Sequence, residues 1–252
     1  MGISMRFLAI TALMLVCAGF GVAQSNANWS YTGRYGPARW GYLDPAYKTC
    51  TSGREQSPVD IRRAFLNKSL QPIEFHYLTG PVTMENDGHT IVVHVGPGSY
   101  IVANGVRYDL IQFDFHTPSE EEVKGDVSDM DVQFEHKSAD GKVAEIAVRL
   151  TEAQDFPNTT LAMLWPHLPA KAGTKTQVSA MVNPGGLLPG DRSYWTYMGS
   201  LTTPPCTEGV RWFVLQSEVN ISRRQFDAFT ALYKLNSRPV QNLRGRRIEA
   251  SQ

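Results

Sequence analysis

Apolar and polar residues alternate with period two over Phe113-Asp114-Phe115-His116 and again over Met130-Asp131-Val132-Gln133-Phe134-Glu135-His136. Successive side chains of a strand point to opposite faces, so this alternation predicts two strands with one buried face each. Asp114 and His116 then share a face, as do Gln133 and Glu135. Pairing of the two strands brings Asp114, His116 and Gln133 to one place. Shorter alternating runs, Ile73–Tyr77 and Thr90–Val95, are separated by Asp87-Gly88, Pro97-Gly98 and Asn104-Gly105. Asp-Gly and Asn-Gly between such runs are hairpin signals. Val143–Leu150 continues the series, and Ser193–Gly199 and Arg211–Leu215 flank a turn at Thr202-Thr203-Pro204-Pro205. Helical patterns are few. One is predicted over Thr159–Leu168 and a stronger one over Ser222–Leu235, with Ser222 as N-cap and Phe226, Phe229 and Tyr233 at helical spacing. The pattern predicts a mainly β, α+β domain with a mostly antiparallel sheet.

Composition narrows the class. The chain has 252 residues, 42% apolar and 19% charged, with a formal net charge of zero. This suits one large globular domain and argues against nucleic acid or an anionic membrane as partner. Near the N-terminus, Arg6 precedes the apolar run Phe7–Val16 and the small residues up to Ala23. The run is short for a membrane span and reads as a signal peptide, residues 1–23, leaving a mature domain over 24–252. The protein is therefore expected to be secreted or periplasmic, with no membrane association after the signal is removed. Cys17 leaves with the signal. The even pair that remains, Cys50 and Cys206, reads as one disulfide in an exported chain. Closing so long a loop stabilises by roughly 4–5 kcal/mol in the chain-entropy view.

Longer motifs add a family. Trp29-Ser30-Tyr31, Gly36-Pro37, Trp40-Gly41 and Gln56-Ser57-Pro58-Val59-Asp60-Ile61 precede the two strands. Phe113 to Glu120 and Met130 to His136 form the centre, and Leu201-Thr202-Thr203-Pro204-Pro205-Cys206 and Asn236-Ser237-Arg238-Pro239-Val240-Gln241 follow. Together, from Trp29 to Arg246, these resemble the α-class carbonic anhydrases in their bacterial form. The resemblance implies a central, twisted, mostly antiparallel sheet with a conical cavity and small peripheral helices. It also implies the Cys50–Cys206 disulfide.

In that family three histidines hold zinc, whose bound water loses a proton near neutral pH and attacks carbon dioxide. The resemblance places the ligands at Asp114, His116 and Gln133. It assigns the orienting threonine to Thr202, its glutamate partner to Glu120 and the proton shuttle to His89. Tyr31 belongs to the same buried network. Gln112 is assigned the support of the first ligand and Asp131 that of the third. Ile111, Leu201 and Trp212 form the apolar wall, with Thr203 in the turn that floors the cavity. Two further positions, commonly valine in the family, are Glu135 and Glu145 here, and Glu121 stands where the family often has histidine. His94 and His136 read as surface and packing residues.

These departures set the functional expectation. Only His116 keeps an imidazole, Asp114 is shorter than histidine, and Gln133 offers a neutral amide, a weak ligand for zinc. Zinc affinity is expected to fall by orders of magnitude. The leading expectation is an exported carbonic anhydrase-like protein with little or no zinc-dependent hydration of carbon dioxide and no resident cofactor. Its acidic cavity would bind a cationic small molecule or a partner side chain whose identity the sequence leaves open. The alternative is an active carbonate dehydratase, or other lyase or hydrolase chemistry, using zinc or another divalent metal in a non-standard site. A storage or structural protein is the third reading.

Overall fold

The computed structural model describes residues 28–252. The signal peptide expected over 1–23 lies outside the described residues. Thirteen strands join in one sheet. In chain order the first eight are β1 (Phe65–Leu66), β2 (Glu74–His76), β3 (Val82–Asn86), β4 (Ile91–Val95), β5 (Tyr100–Ala103), β6 (Val106–His116), β7 (Met130–Ser138) and β8 (Val143–Glu152). There follow β9 (Thr174–Gln177), β10 (Tyr194–Ser200), β11 (Glu208–Leu215), β12 (Val219–Ile221) and β13 (Glu249–Ala250). The order across the sheet is β1-β13-β10-β11-β8-β7-β6-β4-β3-β9, with β12 on β8, β5 on β6 and β2 on β5. Most ladders are antiparallel; β1 with β13, β11 with β8 and β12 with β8 are parallel.

The alternation seen in the sequence sorts the two faces of the central strands. Phe113, Phe115, Val132, Phe134, Ile146 and Val148 point to one side and have no exposed surface. They form the middle of the main core, which α3 (Thr159–Leu164) and α4 (Arg223–Thr230) cover through Leu161, Leu164 and Phe229. Burying each such side chain stabilises by about 1.5–3 kcal/mol before chain entropy is counted. Two short helices, α1 (Trp40–Leu43) and α2 (Thr49–Ser52), lie near the N-terminus. Cys50 in α2 is joined to Cys206 after β10, with Cα atoms 5.0 Å apart across a separation of 156 residues. Among the described residues no helix is long and apolar enough to cross a membrane.

Both predicted helices are shorter than their patterns. The one expected to Leu168 ends at Leu164 and tightens into a 3-10 turn over Trp165–His167. Pro166 has no N–H with which to continue the α ladder. The one expected to Leu235 starts on Ser222, with a capping box closed by Gln225, but stops at Thr230. There the Thr230 hydroxyl donates to Phe226 O, and Leu232 N turns back to Phe229 O. The Tyr233 hydroxyl is then used outside the helix, donating to Asn86 Oδ1 at 2.6 Å.

Candidate functional site

The polar face of β6, β7 and β8 carries the residues singled out in the sequence. Asp114 pairs across the ladder with Gln133, His116 with Asp131, and Gln112 with Glu135. Glu135 in turn stands opposite Glu145, which neighbours Trp212. A cavity of about 90 Å3 opens over this face. Gln112, Asp114, Gln133, Glu135 and Glu145 form its floor, and Leu201, Thr202, Thr203 and Trp212 its wall. A bulge between Leu110 and Gln112 leaves Ile111 without a ladder partner. Ile111 is 42% exposed and is not among the residues that line this cavity.

One end of this floor is closely bonded. His116 Nδ1 lies 3.3 Å from Asp131 Oδ1, both side chains being fully buried. Asp131 Oδ2 accepts from Glu120 N at 2.9 Å and from Gln133 Nε2 at 3.3 Å. Gln133 Nε2 also donates to Glu120 Oε2 at 3.0 Å, while Glu120 Oε1 accepts from Arg238 N at 2.7 Å. Burial alone would lower the pKa of His116, but the carboxylates of Glu120, Asp114 and Asp131 outweigh it and push it up to about 10. The shift favours the protonated ring. Its Nε2 is buried and has no partner. Burial raises Asp114 to about 7, against the opposing pull of His116.

Three assignments change here. Glu120 does not bond Thr202 among the described residues; both of its oxygens are taken, by Gln133 and by the Arg238 backbone. Gln112 does not support Asp114 but donates to Glu135 Oε2 at 3.1 Å. His89, assigned as proton shuttle, is not in the cavity lining. Its ring stacks on Trp29 at 3.6 Å with an interplanar angle of 9°, and its Nε2–H donates to Trp29 O at 3.1 Å. Tyr31 lies in the same aromatic group, but its buried hydroxyl has no partner.

The other end holds acids with few donors. Burial raises both Glu135 and Glu145, and the charge of Glu135 adds to the shift of Glu145. Glu145 is 5% exposed, and its Oε2 is buried without a partner. The Trp212 indole N–H is used by Ser200 O at 2.9 Å, so the neighbouring residue offers these acids no donor.

Glu121 is buried and fully partnered. It accepts from Tyr197 Oη at 2.5 Å and from Val59 N at 3.1 Å, and burial pushes it up to about 8. Tyr197 Oη also lies 3.1 Å from Ser57 Oγ. A side chain at Gly199 would collide with Ser57, Trp212 and Tyr197, so only glycine permits this close packing. His136 is a core residue: its Nδ1–H donates to Phe134 O and its Nε2 accepts from Tyr77 Oη, both at 2.8 Å. Burial pulls it down to about 4. His94, opposite Gln112 on the β4–β6 ladder, pairs with Glu85 at 2.7 Å.

Arg238 was visible only as part of a motif. Its guanidinium donates to Ser57 O, Cys50 O and Gln56 Oε1 while its backbone N–H fixes Glu120. No periodicity signals such a role, because its partners come from three distant segments.

At the ligand positions that the resemblance implies stand a carboxyl, an imidazole and an amide. Gln133 turns an N–H donor toward Glu120 and Asp131. Among the described residues no three His, Cys, Asp or Glu side chains converge as a metal site.

Comparison with known proteins gives consistent relatives. Residues 35–252 match the eukaryotic-type carbonic anhydrase family. The sequence is 38% identical over 242 residues to a carbonic anhydrase of Pectobacterium carotovorum, covering 96% of this chain and 98% of that one. The fold is similar to that of the α-carbonic anhydrase of Thermovibrio ammonificans in complex with the inhibitor sulfanilamide. The TM-score is 0.86 at 37% identity, covering 90% and 100% of the two chains. It is also similar to dioscorin complexed with ascorbate, with a TM-score of 0.83 at 30% identity, covering 88% and 97%.

Proposed function

Since the chain belongs to the eukaryotic-type carbonic anhydrase family, we propose that it keeps the family fold without zinc-dependent hydration of carbon dioxide, and that it binds a small cation in the acidic cavity. The observation that carries this reading is Gln133. At a position where the family uses an imidazole to hold metal, its amide N–H is spent on Glu120 and Asp131. The second strand of support is the cavity wall, where Glu135 and Glu145 replace apolar residues and an oxygen of Glu145 has no donor. A buried carboxyl oxygen without a donor is costly, and an alkylammonium ion or the tip of a lysine or arginine side chain supplies donors. Export to the periplasm or beyond belongs to the same reading, supported by the apolar N-terminal run and the Cys50–Cys206 disulfide.

Ascorbate, the molecule with which dioscorin is complexed, is an anion near neutral pH and does not suit a cavity floored by carboxyl groups. A second reading, favoured by the unpartnered Nε2 of His116, is an active carbonate dehydratase or related lyase or hydrolase with a non-standard metal site. One experiment separates the two. The protein is purified without chelators, its metal content is measured by mass spectrometry, and carbon dioxide hydration is followed by stopped flow. Near-zero metal and background hydration, with saturable binding of methylammonium, support the cation-binding reading. About one metal per chain with hydration above background overturns it.

A further inference from the structure

The sheet face that packs the main core borders a second cleft, of about 460 Å3. It opens between the end of β2, α3 and the 3-10 turn Pro184–Leu187. Phe75 and Tyr77 make an aromatic corner in it, with ring centroids 5.7 Å apart and planes at 86°. Met163 and Leu188 extend the apolar wall. The Tyr77 hydroxyl is used by His136, on the side of β7 turned away from the acidic cavity, so the two clefts are separate.

Arg192 also lines this cleft, its guanidinium 5.2 Å from the centroid of Phe75. The other arginines with buried nitrogens make ion pairs or hydrogen bonds, although Nε of Arg149 and of Arg238 has no partner. Arg149 pairs with Glu218 and donates to Gln216 O, Arg238 bonds three acceptors, and Arg246 donates to Met198 O and Gln56 O. Arg192 makes no ion pair or hydrogen bond through its guanidinium among the described residues, and its Nη1 is buried. The adjacent Asp191 does not neutralise it, because its carboxylate is turned to Ser193 and Ser217. A guanidinium is a planar fork of donors matched to a carboxylate, and leaving it unpaired costs more than leaving a neutral donor unpaired.

We propose that this cleft is a binding site for a small organic anion, a carboxylate carried on a flat aromatic body. The carboxylate engages Arg192 and the ring packs against Phe75 and Tyr77. The volume falls within the usual range for small-molecule sites, and no acidic side chain lines the cleft.

The test uses benzoate, with benzylamine as the same shape of opposite charge, titrated calorimetrically into the purified protein. Benzoate is expected to saturate one site, and benzylamine, which the acidic cavity can take, to leave the methyl resonance of Met163 unmoved. Arg192→Met should weaken benzoate by about tenfold or more, and Phe75→Ala by several fold. In the wild type, a methyl-labelled Met163 should shift on benzoate addition, which keeps the test decisive if Arg192→Met does not fold. Absence of saturation, equal affinity in a folded Arg192→Met, or a Met163 resonance unmoved by benzoate would overturn the proposal.

Discussion

Carboxyl groups lie at two places around the acidic cavity, beneath its His116 end and in its floor at Glu145, and are treated differently. At the His116 end, Asp131 and Glu120 are matched by an imidazole, an amide and two backbone N–H groups. At the Glu145 end, Gln112 is the donor that serves the pair, and it reaches only Glu135. Burial is common to both ends; the supply of donors is not. A buried acid with donors is part of the frame, and one without them is a cost that the fold carries for some other reason. The contrast is sharpest against Glu121, equally buried, whose two oxygens meet Tyr197 and Val59.

The largest effect should come from breaking the satisfied end. His116→Ala leaves Asp131 and Glu120 buried without their cation, and should lower unfolding stability by about 3–5 kcal/mol. Urea unfolding measures it, and a loss below 1 kcal/mol would show that the carboxylates at this end do not depend on the ring. The unsatisfied end should respond with the opposite sign. Glu145→Val removes the orphan oxygen and should stabilise by about 1–3 kcal/mol while weakening methylammonium binding in the cavity. Destabilisation would mean that Glu145 has a partner and that the two ends are alike.

A third prediction concerns pH and uses the two satisfied groups outside the cavity. Glu121 has a folded pKa of about 8 against an ordinary value of 4.5, so it holds its proton more tightly when folded. Its contribution is full below the unfolded value and is lost as pH rises toward 8. His136 has a folded pKa of about 4 against 6.5, so its contribution is full above 6.5 and is lost as pH falls toward 4. Of the pair, only Glu121 acts between pH 6.5 and 8, and melting temperature should fall with rising pH there. Glu121→Gln should make the slope there shallower, leaving the part due to His116, which is raised to about 10. An unchanged slope in the variant would assign the effect to other groups. The smallest effect is expected for Glu135→Val, since Glu135 already has one donor in Gln112. A gain of under about 1 kcal/mol in urea unfolding is expected, and one as large as for Glu145→Val would remove the distinction between the two acids.

Much of the architecture was legible along the chain. The alternation over Phe113–His116 and Met130–His136 gave both strands and the correct sharing of faces, and Ser222 was read as the N-cap it is. The two cysteines left after the expected signal form a disulfide. The site was legible as a set of positions and much less as a set of bonds. Gln112 and Glu120 lie near their assigned neighbours but bond others, and His89 is tied to Trp29.

The sequence by itself determined which residues face the cavity, because that follows from a local period of two and from pairing between neighbouring strands. It also determined that Asp114 and Gln133 carry no imidazole and that Glu135 and Glu145 are acids, since these are matters of identity at a position. Only the tertiary structure decided which acids are satisfied. Glu120 meets a backbone N–H from Arg238, far along the chain, Glu121 meets Tyr197 on another strand, and Glu145 meets no donor at its Oε2. A hydrogen bond depends on distance and direction between segments that come together late in the chain, and no local pattern records either.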